Sequence, residues 1–158
     1  MTFRIYMDVC CLNRPFDDQN QQRIHLESEA ILLILERCQS ESWELIGSEA
    51  IDKEIAQIPN PERLQKVRQA LSSAKSRIPA SDTIQQRARQ LETSGFKSYD
   101  ALHLASAEAA EADVFLTTDD RLLERAIREA ERLQVKSANP VFWLMAANAR
   151  EGVEDDPH

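Results

Sequence analysis

The chain has 158 residues, 42% of them hydrophobic and 29% charged, with a formal net charge of −8. That length suits one domain with a proper core. No apolar run approaches the roughly 18 residues of a membrane span, and the acidic balance argues against a simple cationic nucleic-acid binder. Cys10, Cys11 and Cys38 form neither an even set nor a CxxC motif. This argues against a disulfide framework or a zinc site, and for small apolar fillers in a reducing compartment, the cytoplasm. The first residues, MTFRIYMDVCC, lack the long apolar stretch and small-residue cleavage site of a signal peptide and read as a strand.

In chain order, residues 3–7 (FRIYM) predict a strand, and NRPFDDQNQQ, polar and with Pro15, a loop. Ile24, Ile31, Ile34 and Leu35 recur at helical spacing over 23–38. SWELIGS (42–48) predicts a second strand, with Ser48 as the cap of a helix over 49–58. IPNP then breaks the chain. Helices are expected at 61–76, 81–93 and 99–111, with Gly95 ending the second, then a strand at 114–118 and a helix at 120–133. A last strand at 135–137 leads to Pro140 and an apolar helix. Residues 1–148 are expected to form the domain, and 149–158 a charged, disordered tail. Strands alternating with helices favour a parallel sheet covered on both faces.

Charge is unevenly spread. Residues 61–97 carry eight basic and three acidic side chains, net +5, which leaves the remainder at −13. This segment is either a solvated helical pair or a basic flank beside an acidic centre.

In parallel α/β sheets, ligands sit beyond the carboxyl ends of the strands. Asp8 and Asp119 each follow a predicted strand, so both project from the same edge; they are either pocket residues or loop caps. Glu54 falls on the flank of the stripe formed by Ile51, Ile55 and Ile58. A carboxylate there snorkels to water, or is paired, or binds a metal. Asp100 lies in the first turn of a helix with Ser98 as its expected cap. The exposed N–H groups of that turn favour an acid without any further role. The small and apolar ALHLASAEAA, however, predicts a buried helix whose start reaches the edge that carries Asp8. Four acids at one edge repel unless a cation joins them. Carboxylate oxygens suit Mg²⁺ or Mn²⁺, which can activate water for phosphodiester cleavage.

Four motifs, YMD ending in Asp8, SEAIDKEI with Glu54, YDALHLA with Asp100 and LTTD ending in Asp119, occur in that order. With them the chain resembles the PIN-domain family of metal-dependent ribonucleases over residues 3–146. The resemblance implies a three-layer α/β/α sandwich with a central parallel sheet. It implies Mg²⁺ or Mn²⁺ held by Asp8, Glu54, Asp100 and Asp119, and RNA hydrolysis by metal-activated water. It also implies a toxin of a toxin–antitoxin pair of the VapBC type, with a small antitoxin as partner and a homodimer as the common assembly. Where the family often has Ser, Thr or Asn two residues after the first Asp, this chain has Cys10, a poorer ligand for hard cations. Asn13 is a candidate for the missing polar group. Thr117 matches the family's small polar residue near the last Asp and is expected to hydrogen-bond it.

Other residues keep two readings. Arg14 either meets a substrate phosphate or pairs with Asp17 or Asp18. His103 is either a base or a buried, hydrogen-bonded histidine. Trp43 and Trp143 belong to the core or to an interface. The helix over 24–37 serves as a dimer surface, an antitoxin surface or plain core packing. The alternative to an enzyme is a PIN-like binding module for RNA or a protein partner with little catalysis, which Cys10 and the −8 charge favour.

Overall fold

The computed structural model describes residues 2–155, with side chains to Glu151. Five parallel strands, β1 (Arg4–Met7), β2 (Glu44–Ser48), β3 (Ser76–Ile78), β4 (Val114–Leu116) and β5 (Lys136–Ala138), lie in the order β3-β2-β1-β4-β5. Eight helices cover them: α1 (Val9–Asn13), α2 (Gln22–Gln39), α3 (Glu49–Ile55), α4 (Pro61–Leu71), α5 (Asp82–Thr93), α6 (Ser98–Ala109), α7 (Asp120–Arg128) and α8 (Pro140–Asp155). This is the three-layer α/β/α sandwich expected from the alternation.

The middle strand shows why both faces must be covered. Ile5, Tyr6 and Met7 of β1 are fully buried, and consecutive strand residues point to opposite faces. On the face of Phe3, Trp143 of α8 and Trp43 meet the ring edge-on at 5.3 and 5.7 Å. On the face of Tyr6 stands His103 of α6, with Phe115 of β4 stacked beside it at 5.5 Å. Trp43 is therefore a core residue, and the half-buried Trp143 packs against the core. Each fully buried Ile or Leu of this sheet contributes about 1.5–3 kcal/mol.

The strand order reverses between β1 and β4, so the crevice of a doubly wound sheet opens where these two strands end. Three differences from the sequence expectation matter. Residues 9–13, of which only Asn13 fell in the expected loop and the rest carried no element, form α1, because the Asp8 carboxylate caps it by accepting the Cys11 N–H. β3 lies where the end of a helix was expected; its short SRI run pairs only with β2 and forms a sheet edge. Residues 149–155, expected as disordered tail, continue α8. Glu151 pairs with Arg37 and accepts the Trp43 indole N–H at 2.9 Å, which fastens that end of the helix. Residues 156–158 of the expected tail lie outside the described residues. No helix among the described residues is long and apolar enough to cross a membrane.

Candidate active site

Strand β1 delivers Asp8 to the crevice, and its N–H donates to the Leu116 carbonyl of β4 at 3.1 Å. The carboxylate is 6% exposed. Its Oδ1 accepts the Cys11 N–H at 3.1 Å and the Cys10 thiol at 2.8 Å. Burial pushes this carboxyl well above the usual range, and negative charge on Cys10 pushes the same way; the Thr117 hydroxyl and the Cys11 N–H oppose. Asp8 and Cys10 thus behave as a coupled pair in which a second negative charge is disfavoured.

Cys10 Sγ also receives the Thr118 hydroxyl at 3.2 Å and lies 3.5 Å from the Thr117 hydroxyl. Thr117, fully buried, accepts the N–H of Asp119 at 3.0 Å rather than donating to its carboxylate. That carboxylate caps α7 through the N–H groups of Arg121 and Leu122 at 3.0 and 3.3 Å.

Asp100 sits in the first turn of α6. The cap of that helix is Lys97, not Ser98, whose hydroxyl instead donates to Glu92 at 2.6 Å. Burial raises the Asp100 carboxyl to about 6, and the charge of Asp119 adds to this, with His103 and Lys97 opposing. An acid raised in this way by a neighbouring acid lies in a region of negative potential.

Glu54 is reached from a different direction. Its Oε1 accepts from His103 Nε2 at 3.0 Å, His103 Nδ1 meets the Tyr6 hydroxyl at 2.7 Å, and Tyr6 meets the Ser48 hydroxyl at 2.7 Å. One direction of donation satisfies the whole chain: Ser48 to Tyr6, Tyr6 to Nδ1, and Nε2–H to Glu54. A neutral imidazole suffices. Burial raises the Tyr6 hydroxyl and keeps it a donor. His103, 1% exposed, is therefore the buried, hydrogen-bonded histidine, and it orients Glu54.

Asp8 and Asp119 follow β1 and β4, Asp100 feels the charge of Asp119 and Cys10, and Glu54 meets His103 of α6, but among the described residues the four carboxylates form no tight cluster. Among the described residues the tight cluster of ligand-type side chains is Asp8, Cys10 and Cys11, within 4.8 Å of one another. Asp100 and Asp119 line a cavity of about 270 Å³ together with Lys97, Arg121, Arg125 and Arg128. Sequence reasoning did not single out these three arginines. Their signal was an i, i+4, i+7 spacing on the helix that Asp119 starts. The Arg125 guanidinium lies over Gly95, where an added Cβ would stand 2.5 Å from Nη1 and the backbone φ is +99°. The positive φ is what favours glycine here, since the guanidinium is the flexible end of a side chain.

Two expected site residues are engaged elsewhere. Asn13 donates to the Val9 carbonyl at 3.1 Å and accepts from Arg63 at 3.3 Å. Arg14 pairs with Glu27 at 2.8 Å and with Asp17 at 3.4 Å. In the basic 61–97 segment, Arg63, Lys75, Arg77 and Arg87 pair with Asp17, Glu41, Asp52 and Glu108. Neutralised side chains of this kind make a poor phosphate track.

The donor set fits a hard divalent cation in four carboxylates from separate elements, and departs from it in one thiol. A cation beside Asp8 and Asp100 would relieve the burial and repulsion that raise both carboxyls.

Residues 5–129 match the profile of the PIN domain. Among solved structures, VapBC2 from Rickettsia felis bound to a DNA fragment from their promoter is similar with a TM-score of 0.53 at 16% identity, over 86% of this chain and 98% of that one. PAE2754 from Pyrobaculum aerophilum is similar with a TM-score of 0.52 at 16% identity, over 94% and 99%. At such identity the likeness is one of fold. No protein of curated function matches the chain.

Proposed function

The chain belongs to the PIN-domain family, and from that premise we propose that it is a divalent-cation-dependent endoribonuclease that hydrolyses phosphodiester bonds of RNA. The observation that carries this reading is the state of its acids. Asp8 is buried with a thiol and a backbone N–H as its donors, and Asp100 is raised to about 6 by burial and by Asp119. Such an arrangement is costly in isolation and useful around a cation.

Asp8, Asp100 and Asp119 would hold Mg²⁺ or Mn²⁺, with Glu54 as the fourth acid. A bound cation supplies Lewis acidity, lowering the pKa of the attacking water and stabilising the leaving oxygen. The rest falls to the chain itself. The Ser48–Tyr6–His103 relay fixes Glu54, and Thr117 fixes the turn that presents Asp119. Lys97, Arg121, Arg125 and Arg128 line the adjoining cavity and would take the RNA phosphates, in place of Arg14.

The same reading makes the protein the toxin of a toxin–antitoxin pair. Leu26 and Leu33 of α2 and Phe142 and Met145 of α8 are half or more exposed. Leu26, Val141 and Phe142 line a groove of about 470 Å³. Such an apolar face suits an apolar helix of a small antitoxin, and sedimentation of the chain alone tests the expected homodimer separately.

The test is cleavage of a mixed set of labelled RNAs with Mn²⁺, Mg²⁺ or EDTA, with Asp8→Asn in parallel. Cleavage that needs the cation and disappears in the variant supports the reading. The thiol on Asp8 favours one second reading, a binding module, which predicts RNA retained on a filter without any cut product.

A further inference from the structure

We propose that Cys10 is itself a cation ligand beside Asp8, which makes this a mixed carboxylate–thiolate site that prefers thiophilic divalent cations such as Zn²⁺ or Co²⁺ to Mg²⁺. The inference deepens the function proposed above and rests on it only in placing Asp8 at the metal centre.

The geometry around the sulfur carries the argument. Cys10 Sγ lies 2.8 Å from Asp8 Oδ1, 3.2 Å from the Thr118 hydroxyl and 3.5 Å from the Thr117 hydroxyl. A cysteine that fills apolar space packs against carbon; this one faces a carboxylate and two hydroxyls. It is also the least enclosed of the three cysteines, since Cys11 and Cys38 are buried and Cys10 is partly open. With Cys11 it completes the cluster of three ligand-type side chains within 4.8 Å. Cys11, fully enclosed, stands behind the pair.

A cation bound by both groups would displace the proton that joins thiol and carboxylate. On binding, a sulfur–metal bond forms, the S–H bond breaks and its proton leaves to water. No oxidant or reductant is needed. Thiolate favours Zn²⁺ and Co²⁺, whereas Mg²⁺ selects oxygen. The threonine hydroxyls hold the sulfur in place, as outer partners of metal ligands do.

Co²⁺ is the probe that tests this, because a thiolate ligand gives Co²⁺ a near-ultraviolet charge-transfer absorption that oxygen ligands do not. Purified protein would be titrated with Co²⁺, followed by absorbance and by calorimetry, for wild type, Cys10→Ser and Cys11→Ser. The expected result is the band in wild type and Cys11→Ser and its loss in Cys10→Ser. Zn²⁺ affinity should fall in Cys10→Ser by about tenfold or more, with Mg²⁺ affinity undiminished. In wild type alone, saturating Zn²⁺ should slow alkylation of Cys10, which decides the matter even if a variant fails to fold. Calorimetric Co²⁺ binding without the band, or a band that survives Cys10→Ser, overturns the inference and leaves the proposed nuclease centre standing. Absence of any Co²⁺, Mn²⁺ or Mg²⁺ binding overturns both.

Discussion

Asp8 and Glu27 are the buried acidic residues among the described residues, and the protein treats them in opposite ways. Glu27 of α2, 2% exposed, receives Arg14 at 2.8 Å and Arg23 at 3.2 Å, and the Asn139 amide at 2.7 Å. Asp8, 6% exposed, receives a thiol and a backbone N–H, and among the described residues no basic side chain pairs with it. Burying an ionised acid is expensive unless charge or hydrogen bonds offset it. At Glu27 the fold supplies two guanidinium groups, so that acid joins α2 to the loop after α1 and to the start of α8. At Asp8 the fold withholds them. The difference teaches that a buried acid kept for architecture carries its own counter-charge, whereas one kept for chemistry leaves room for a charge from outside.

The largest effects should fall at the two ends of that comparison. Asp8→Asn should reduce cation-dependent RNA cleavage by at least about 100-fold, because a cation's transition-state stabilisation is worth several kcal/mol. Its melting temperature without added cation should stay level or rise. Asn caps a helix about as well as Asp, and the substitution removes a buried acid that no basic side chain pairs among the described residues. Mn²⁺ should then raise the melting temperature of wild type and leave the variant unmoved. A variant that loses activity only by unfolding would break the comparison.

Glu27→Ala should do the reverse. It removes the buried partner of Arg14 and Arg23 and should cost about 2–3 kcal/mol, below the full penalty of a broken buried pair because Arg14 keeps Asp17 and Arg23 keeps Asp120. Urea unfolding measures this, and cleavage per folded molecule should be retained. Equal stability of Glu27→Ala and wild type would mean that burial alone does not distinguish the two acids.

How legible this was in the sequence depends on the range of the interaction. Asp8 and Asp119 were readable because strand ends and sheet parity are local patterns, and they follow β1 and β4, the two strands that flank the reversal in strand order. The burial of α6 was readable from ALHLASAEAA. The partner of Glu54 was not. A helical wheel places it beside the apolar stripe but cannot show that His103, 49 residues away, holds it. For Arg14 the pair with Asp17 was readable from the loop, whereas the pair with Glu27, 13 residues on, was not. β3 was missed because its SRI run has one apolar residue and the signature of a short, polar edge. The end of α8 was missed because composition describes a tail, not the Arg37 and Trp43 that receive Glu151.

Asp100 sharpens the contrast through pH. Its folded carboxyl is raised to about 6 from an ordinary 3.8. The folded state therefore binds this proton more tightly than the unfolded chain does. The resulting stability is fully present below about pH 4 and is lost as pH rises through 6. Asp100→Asn removes the dependence. Without divalent cation, the variant should match wild type at pH 4 and exceed it at pH 7.5 by about 1 kcal/mol, a figure discounted because the group is partly exposed. Urea midpoints at the two pH values measure it. A difference that does not change with pH would mean that Asp100 behaves as an ordinary helix-start acid.

The smallest effect separates paired from unpaired guanidinium groups. Arg121 and Arg128 have no carboxylate partner among the described residues, and both line the cavity with Asp100 and Asp119. Arg14 is held by Glu27 and Asp17. In an Asp8→Asn background that does not cut, Arg121→Ala should weaken binding of single-stranded RNA a few-fold. It should also make log K against log salt shallower by about 0.7, the share of one phosphate contact. Arg14→Ala should lower stability and leave the slope unchanged, because a guanidinium already neutralised releases no counterions from RNA. If Arg14→Ala moves the slope and Arg121→Ala does not, the phosphate path runs along the loop after α1. The Arg14–Glu27 pair would then open when RNA binds.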